Sequence, residues 1–114
     1  MRQKSKEEGT MVTYEITATV RADLIDAYER FMRERHIPDL LATGHFAAAS
    51  LGRSGPGRYR IRYEAKSREA LDRYIAEHAP RLRAHLQSEL PEGVDVAREE
   101  WDILESWPRV EVQR

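Results

Sequence analysis

The chain has 114 residues, 34% charged and 40% hydrophobic, and its 19 basic and 20 acidic side chains leave a net charge of −1. That describes one ordinary globular domain, and the balance argues against a protein that grips phosphate backbones, which needs a basic surplus. Cysteine is absent and no apolar run approaches the ~20 residues of a membrane span, which removes disulfides, thiolate sites and cysteine nucleophiles and points to a cytoplasmic protein without a membrane partner.

Residues 1–10, MRQKSKEEGT, are polar and without periodicity, and are expected to form a flexible leader. A single domain is expected over 11–107, with 108–114 a C-terminal tail. In MVTYEITATV, Val12, Tyr14, Ile16, Ala18 and Val20 alternate with Thr13, Glu15, Thr17 and Thr19, the pattern of a half-buried strand. Asp23 stands where an N-cap would open a helix whose apolar stripe is Leu24, Ile25, Tyr28, Phe31 and Met32. Pro38 suits the first turn of a short new helix through Leu41, with Asp39 at its start and Gly44 reversing the chain.

HFAAASLGRS and GRYRIRYEAK flank the turn GPG and read as a hairpin, with Tyr59, Ile61, Tyr63 and Ala65 on one side of its second arm. Ser67 caps a helix with the stripe Leu71, Tyr74, Ile75 and His78. Pro80 interrupts it, yet the stripe resumes in phase at Leu82, His85 and Leu86, so the helix is expected to bend and continue. After PEG, VDVAREEWDILESW reads as the last strand.

Strand, helix, strand, strand, helix, strand is the ferredoxin-like α+β pattern, a four-stranded antiparallel sheet with two main helices on one face. The other face would carry Thr13, Glu15, Thr17, Arg60, Arg62 and Glu64, joined by Trp101 and Ile103, and Glu15 can pair with Arg62 across neighbouring strands. Such a face is either solvated or covered by a second copy.

VTYEITATV, ERHIPDLLATGHF and AKSREALDRYIAEHAPRLR together resemble a family of small bacterial proteins classed as a domain of unknown function, within the dimeric α/β-barrel superfamily. The resemblance spans about Met11 to Trp107. Its most specific parts are His-Ile-Pro-Asp at 36–39, Ala-Thr-Gly at 42–44 and the stretch 72–83. A helix ending in His-x-Pro before a glycine turn is more distantly similar to ethyl-tert-butyl-ether-degradation-type domains. The resemblance implies a homodimer pairing through its sheets as an α/β barrel. Relatives in that superfamily include cofactor-free monooxygenases, isomerases and cyclases alongside proteins with no known reaction, so it fixes no catalytic set.

RERHIPDLLATGHF, residues 33–46, holds the chemistry worth weighing. At 100° per residue His36 falls about 80° from the stripe centre and Arg35 nearer to it. One reading is a structural corner, with His36 hydrogen-bonded to a backbone carbonyl. The other is a pocket between helix and sheet, with His36 as acid or base, Arg35 anchoring an anion, and Tyr28, Asp39 and His45 touching the ligand. Asp39 equally suits a helix start. His78 and His85 stand seven residues apart, about 10 Å along a helix, too far to share an ion; no metal and no cofactor is expected. GRSGPGR lacks the lysine and helix of a phosphate loop, and the tyrosines fall on the helix side rather than the exposed sheet, so no nucleic-acid partner is expected. Two functions remain: a homodimer binding a small molecule without chemistry, or a cofactor-independent monooxygenase, isomerase or cyclase acting on a small carbonyl or aromatic compound through His36.

Overall fold

The computed structural model describes residues 11–108. The expected leader, and all but the first residue of the expected tail, lie outside the described residues. β1 (Met11–Val20) leads into one helical stretch made of a 3-10 turn (Ala22–Leu24), α1 (Ile25–Phe31), a π-helical turn (Met32–His36) and α2 (Ile37–Leu41). The hairpin β2 (Phe46–Gly55) and β3 (Arg58–Ala65) follows, then α3 (Arg68–Glu77), α4 (Ala79–Glu89) and β4 (Val94–Ile103). The sheet order is β2-β3-β1-β4 and every pairing is antiparallel. The fold is the ferredoxin-like α+β arrangement that the element order predicts.

Strand parity decides which side chains meet the helices. Val12, Tyr14, Ala18 and Val20 of β1, with Tyr59, Ile61, Tyr63 and Ala65 of β3, are buried beneath Tyr28, Phe31, Met32, Leu71, Tyr74 and Leu82. Aromatic rings fill the centre of this layer: Tyr14 and Tyr63 lie 6.0 Å apart, and Phe46 meets Tyr74 edge-on at 5.0 Å. Each such pair adds about 1 kcal/mol beyond the area it buries. Glu29, on α1, accepts hydrogen bonds from Tyr59 Oη at 2.6 Å and Arg53 Nη1 at 2.8 Å. That fastens the helix to the hairpin and holds the Glu29 carboxyl below its ordinary range.

The turns follow their residues closely. Ser67 Oγ accepts from Ala70 N–H at 2.9 Å, the expected cap. Pro56-Gly57 closes the hairpin, and Gly57 (φ +74°) packs so closely that a Cβ there would collide with the Val20 carbonyl oxygen. At His78 the second helical stretch bends and continues, because Pro80 has no N–H to donate backwards.

Two expected caps are not formed. Asp23 sits inside the 3-10 turn and bonds Arg21 Nε at 2.6 Å, so α1 starts at Ile25 without a side-chain cap. Asp39 caps nothing either. The chain reaches Pro38 already helical, His36 having φ −67° and ψ −52°, so no helix starts afresh there.

On the open side of the sheet the cross-strand rows read Ala48–Glu64–Thr13–Trp101, Ser50–Arg62–Glu15–Glu99 and Gly52–Arg60–Thr17–Ala97. Arg62 Nε stands 3.5 Å from Glu15 Oε2, the pair expected across β1 and β3. Thr13 is completely buried between its neighbours Glu64 and Trp101, and bonds Glu15 Oε2 at 3.0 Å. Trp101 is 48% exposed, and Leu104 and Trp107 beyond it are 91% and 77% exposed.

Candidate functional site

The first helical stretch buries Tyr28, Met32, His36 and Leu40 at a four-residue step, with Phe31 beside them. In an α-helix four residues overshoot a turn by about 40°, so such a row would drift around the axis. The π-helical turn at Met32–His36 cancels the drift, since its wider ring holds more residues per turn. It carries His36 inward and swings Arg35 out to solvent, the reverse of what uniform helical spacing predicts.

Beneath this stripe lies a crevice of about 30 Å³ between the helices and the sheet, walled in part by Tyr14, Tyr28, His36, Tyr63, Arg83 and Arg98. Its size admits about one water molecule. Arg83, Leu86, Val96 and Arg98 also line an adjoining groove of about 270 Å³ between α4 and β4. Crevice and groove therefore share two arginines, Arg83 and Arg98.

The polar atoms here are incompletely paired. Arg83 Nη2 donates to Tyr14 Oη at 2.9 Å, but Arg83 Nε is buried with no partner. His36, 8% exposed, has its Nδ1 buried and unpaired, so at that atom the expected bond to a backbone carbonyl is not made. Burial lowers the His36 pKa to about 4; Asp39 opposes the shift, while His85 and Arg98 reinforce it. The imidazole is neutral at pH 7. Burial pushes the Tyr28, Tyr63 and Tyr74 phenols upward, so they too stay uncharged. Chemically the crevice offers phenol and imidazole groups beside two cations, half-buried Arg83, held by Tyr14, and exposed Arg98, a setting suited to an oxyanion.

Of the five residues singled out from the sequence, His36 and Tyr28 line the crevice. Arg35 is exposed and its Nη2 stands 3.4 Å from His85 Nε2. Asp39 is exposed. His45 lies beside His78, with ring centroids 5.4 Å apart. None of these three lines the crevice. Among the described residues, the side chains able to hold a metal ion together are His45, Glu77 and His78.

Arg83, Arg98 and Tyr14 were not singled out from the sequence as site residues. One signal was available for Arg98: Val94, Val96 and Arg98 share the helix-facing parity of β4, opposite Val20, Ala18 and Ile16, so a cation occupies an apolar position. Arg83, directly after buried Leu82, gave a weaker one.

No curated protein matches the chain by sequence. Among solved structures, it is similar to a protein of unknown function from Nitrosomonas europaea (14% identity, TM-score 0.64, covering 90% of this chain and 97% of that one). SnoaB, a cofactor-independent oxygenase from Streptomyces nogalater, is similar at 15% identity and TM-score 0.66, over 89% of this chain and 100% of that one. A dimeric ferredoxin-like protein from an uncultured marine organism aligns at 14% identity and TM-score 0.58, over 86% and 98%. At these identities the likeness concerns the fold. The profile of the family described as "Domain of unknown function (DUF4286)" matches residues 11–101, and the chain belongs to that family.

Proposed function

We propose that this protein is a homodimer that binds a small anionic molecule, with the anionic group at Arg83 and Arg98 and the remainder in the groove between α4 and β4. The observation that carries the reading is the pair of buried, unpartnered nitrogens, His36 Nδ1 and Arg83 Nε, on one crevice. Buried polar atoms are ordinarily satisfied, and leaving one unpaired costs about 1–3 kcal/mol. A ligand oxygen in the crevice would relieve both. The adjoining groove supplies room that the crevice lacks, just below the usual ~300 Å³ lower range of small-ligand sites.

The dimer rests on the open sheet face. Exposed Met11 and Trp101 mark one end of it, and exposed Leu104 and Trp107 follow β4 in the chain. Along its middle, β3 presents Arg58, Arg60 and Arg62, while β1 and β4 present Glu15, Asp95 and Glu99. A two-fold axis would lay one copy's basic row across the other's acidic rows. The neighbour described as a dimeric ferredoxin-like protein supports the same reading.

A second reading makes the site catalytic, with His36 Nδ1 moving a proton on a small carbonyl or aromatic compound without a cofactor. The free ring nitrogen and the likeness to a cofactor-independent oxygenase favour it. The lowered pKa weighs the other way, since an imidazole protonated only near pH 4 is a weak base.

A thermal-shift screen with aromatic and keto acids, each beside its neutral amide, tests the binding. Acids should raise the melting temperature of the wild type, amides should not, and Arg98→Gln and His36→Gln should abolish the response. Equal responses of all three proteins would remove the crevice from consideration. Product formation by wild type and not by His36→Gln would establish the second reading. Light scattering should give about twice the chain mass; a monomer would return the open face to solvent.

A further inference from the structure

We infer that His45, Glu77 and His78 form a zinc site. Each offers one donor atom, and all three atoms lie within 4.8 Å of one another. Donors around a single tetrahedral zinc, bound at 2.0–2.2 Å, stand about 3.4 Å apart. The approach still required is therefore at most about 1.4 Å, within reach of side-chain rotation. Glu77 is exposed and free to turn, while both histidines are half-buried and held by the fold.

The backbone fixes this convergence. His45 directly precedes β2, and its carbonyl accepts from Lys66 N–H at 2.9 Å, which ties it to the end of β3. Glu77 is the last residue of α3, and His78 is the junction at which Pro80 forces the helix to restart. The His78 ring lies 6.3 Å from that of Tyr74, with planes 21° apart, so the imidazole is oriented by an aromatic face. The His45 and His78 planes meet at 49°, tilted rather than stacked in parallel. Two imidazoles and one carboxylate suit a borderline divalent ion such as zinc, and leave a fourth position for water.

The position differs from the crevice, since none of the three residues lines it. A bound ion would clip the start of β2 to the end of α3, two elements joined in the chain only through the hairpin and its following turn.

One contact gives the site its own signature. Arg81 Nη2 stands 3.1 Å from His78 Nδ1. With Nδ1 accepting from Arg81, the ring proton belongs on Nε2, which then has no lone pair for a metal. Zinc on either nitrogen must break the Arg81 contact. Arg81 thus competes with the ion for His78.

Tag-free protein titrated with zinc by calorimetry, and with cobalt by visible absorption, tests the site. One ion per chain is expected, with a rise in melting temperature as the ion saturates the folded state. His45→Gln, His78→Gln and Glu77→Gln should each weaken binding about tenfold or more; Arg81→Ala should tighten it, and His85→Gln should leave it unchanged. Glu77→Gln decides the matter if a histidine variant misfolds, because Glu77 is exposed. Absence of saturable binding overturns the proposal, as does binding that ignores both His45→Gln and Glu77→Gln. Weaker binding in Arg81→Ala would overturn the competition.

Discussion

His36 and His45 stand nine residues apart at the two ends of one corner, yet they belong to opposite kinds of environment. His36 is 8% exposed, with an orphaned ring nitrogen and a pKa lowered to about 4. His45 is half-exposed beside a carboxylate and a second imidazole. The first is a neutral group locked into the core beside cations. The second belongs to a cluster at the surface whose exposed carboxylate is free to turn. The difference teaches that a histidine's chemistry is set by what the fold brings to it, and that neighbours along the chain carry little of that information.

The largest expected effect comes from acid. Because the folded-state pKa of His36 is depressed, the unfolded chain takes up a proton at 6.5 that the folded one refuses until about 4. Stability from this residue is complete above pH 6.5 and falls as pH drops to about 4. The loss is on the order of 3 kcal/mol, readable in urea unfolding across that window. His36→Leu should remove most of the slope; an unchanged slope would mean that His36 is not held neutral. Glu29, whose carboxyl is held low, adds a further loss at more acid pH, because protonation weakens its acceptance of the Tyr59 hydrogen bond and then cancels its charge toward Arg53. Glu29→Gln should flatten that lower part of the profile only.

Tyr14→Phe probes the crevice from the other wall. It removes the acceptor of Arg83 Nη2 and leaves a guanidinium group further unsatisfied, at a cost of about 2 kcal/mol in equilibrium unfolding. An anionic ligand should recover part of that loss, which would tie the deficit to unpaired charge rather than to packing.

Ser67→Ala removes the cap that opens α3, expected to cost about 1 kcal/mol. The helix carries Glu77 at its far end, so zinc affinity should not change. If it does, the corner depends on helix stability rather than on its three donors. The smallest effect belongs to His45→Gln, which without metal should alter stability by about 0.5 kcal/mol or less. A loss comparable to that of Tyr14→Phe would erase the contrast between the two histidines.

Much of the fold was legible because it depends on local period and turn chemistry. The alternation through Tyr14 and Tyr63, the Ser67 cap, the Pro56-Gly57 turn and the bend before Pro80 all reflect hydrogen bonds and steric limits within a few residues. The order of elements then left one common antiparallel arrangement, which the sheet adopts. Two local expectations failed for a reason equally local. Asp23 and Asp39 were read as caps, but Asp23 lies inside a 3-10 turn and bonds Arg21 instead, and the chain reaches Asp39 already helical.

The site depended on longer reach. Uniform helical spacing put Arg35 near the stripe and His36 at its edge. A π-helical turn, favoured when a helix must keep Tyr28, Met32, His36 and Leu40 all on the sheet, reverses them. Arg83 and Arg98 line one crevice because α4 and β4 flank a common groove, and His45 meets His78 because a hairpin returns the chain to the corner it left. Sequence by itself determined the strands, the helices and their order, since each element answers to neighbours within a turn or two. Tertiary structure alone decided which charges share a crevice and which histidines share a corner, because those encounters are set by how whole elements pack.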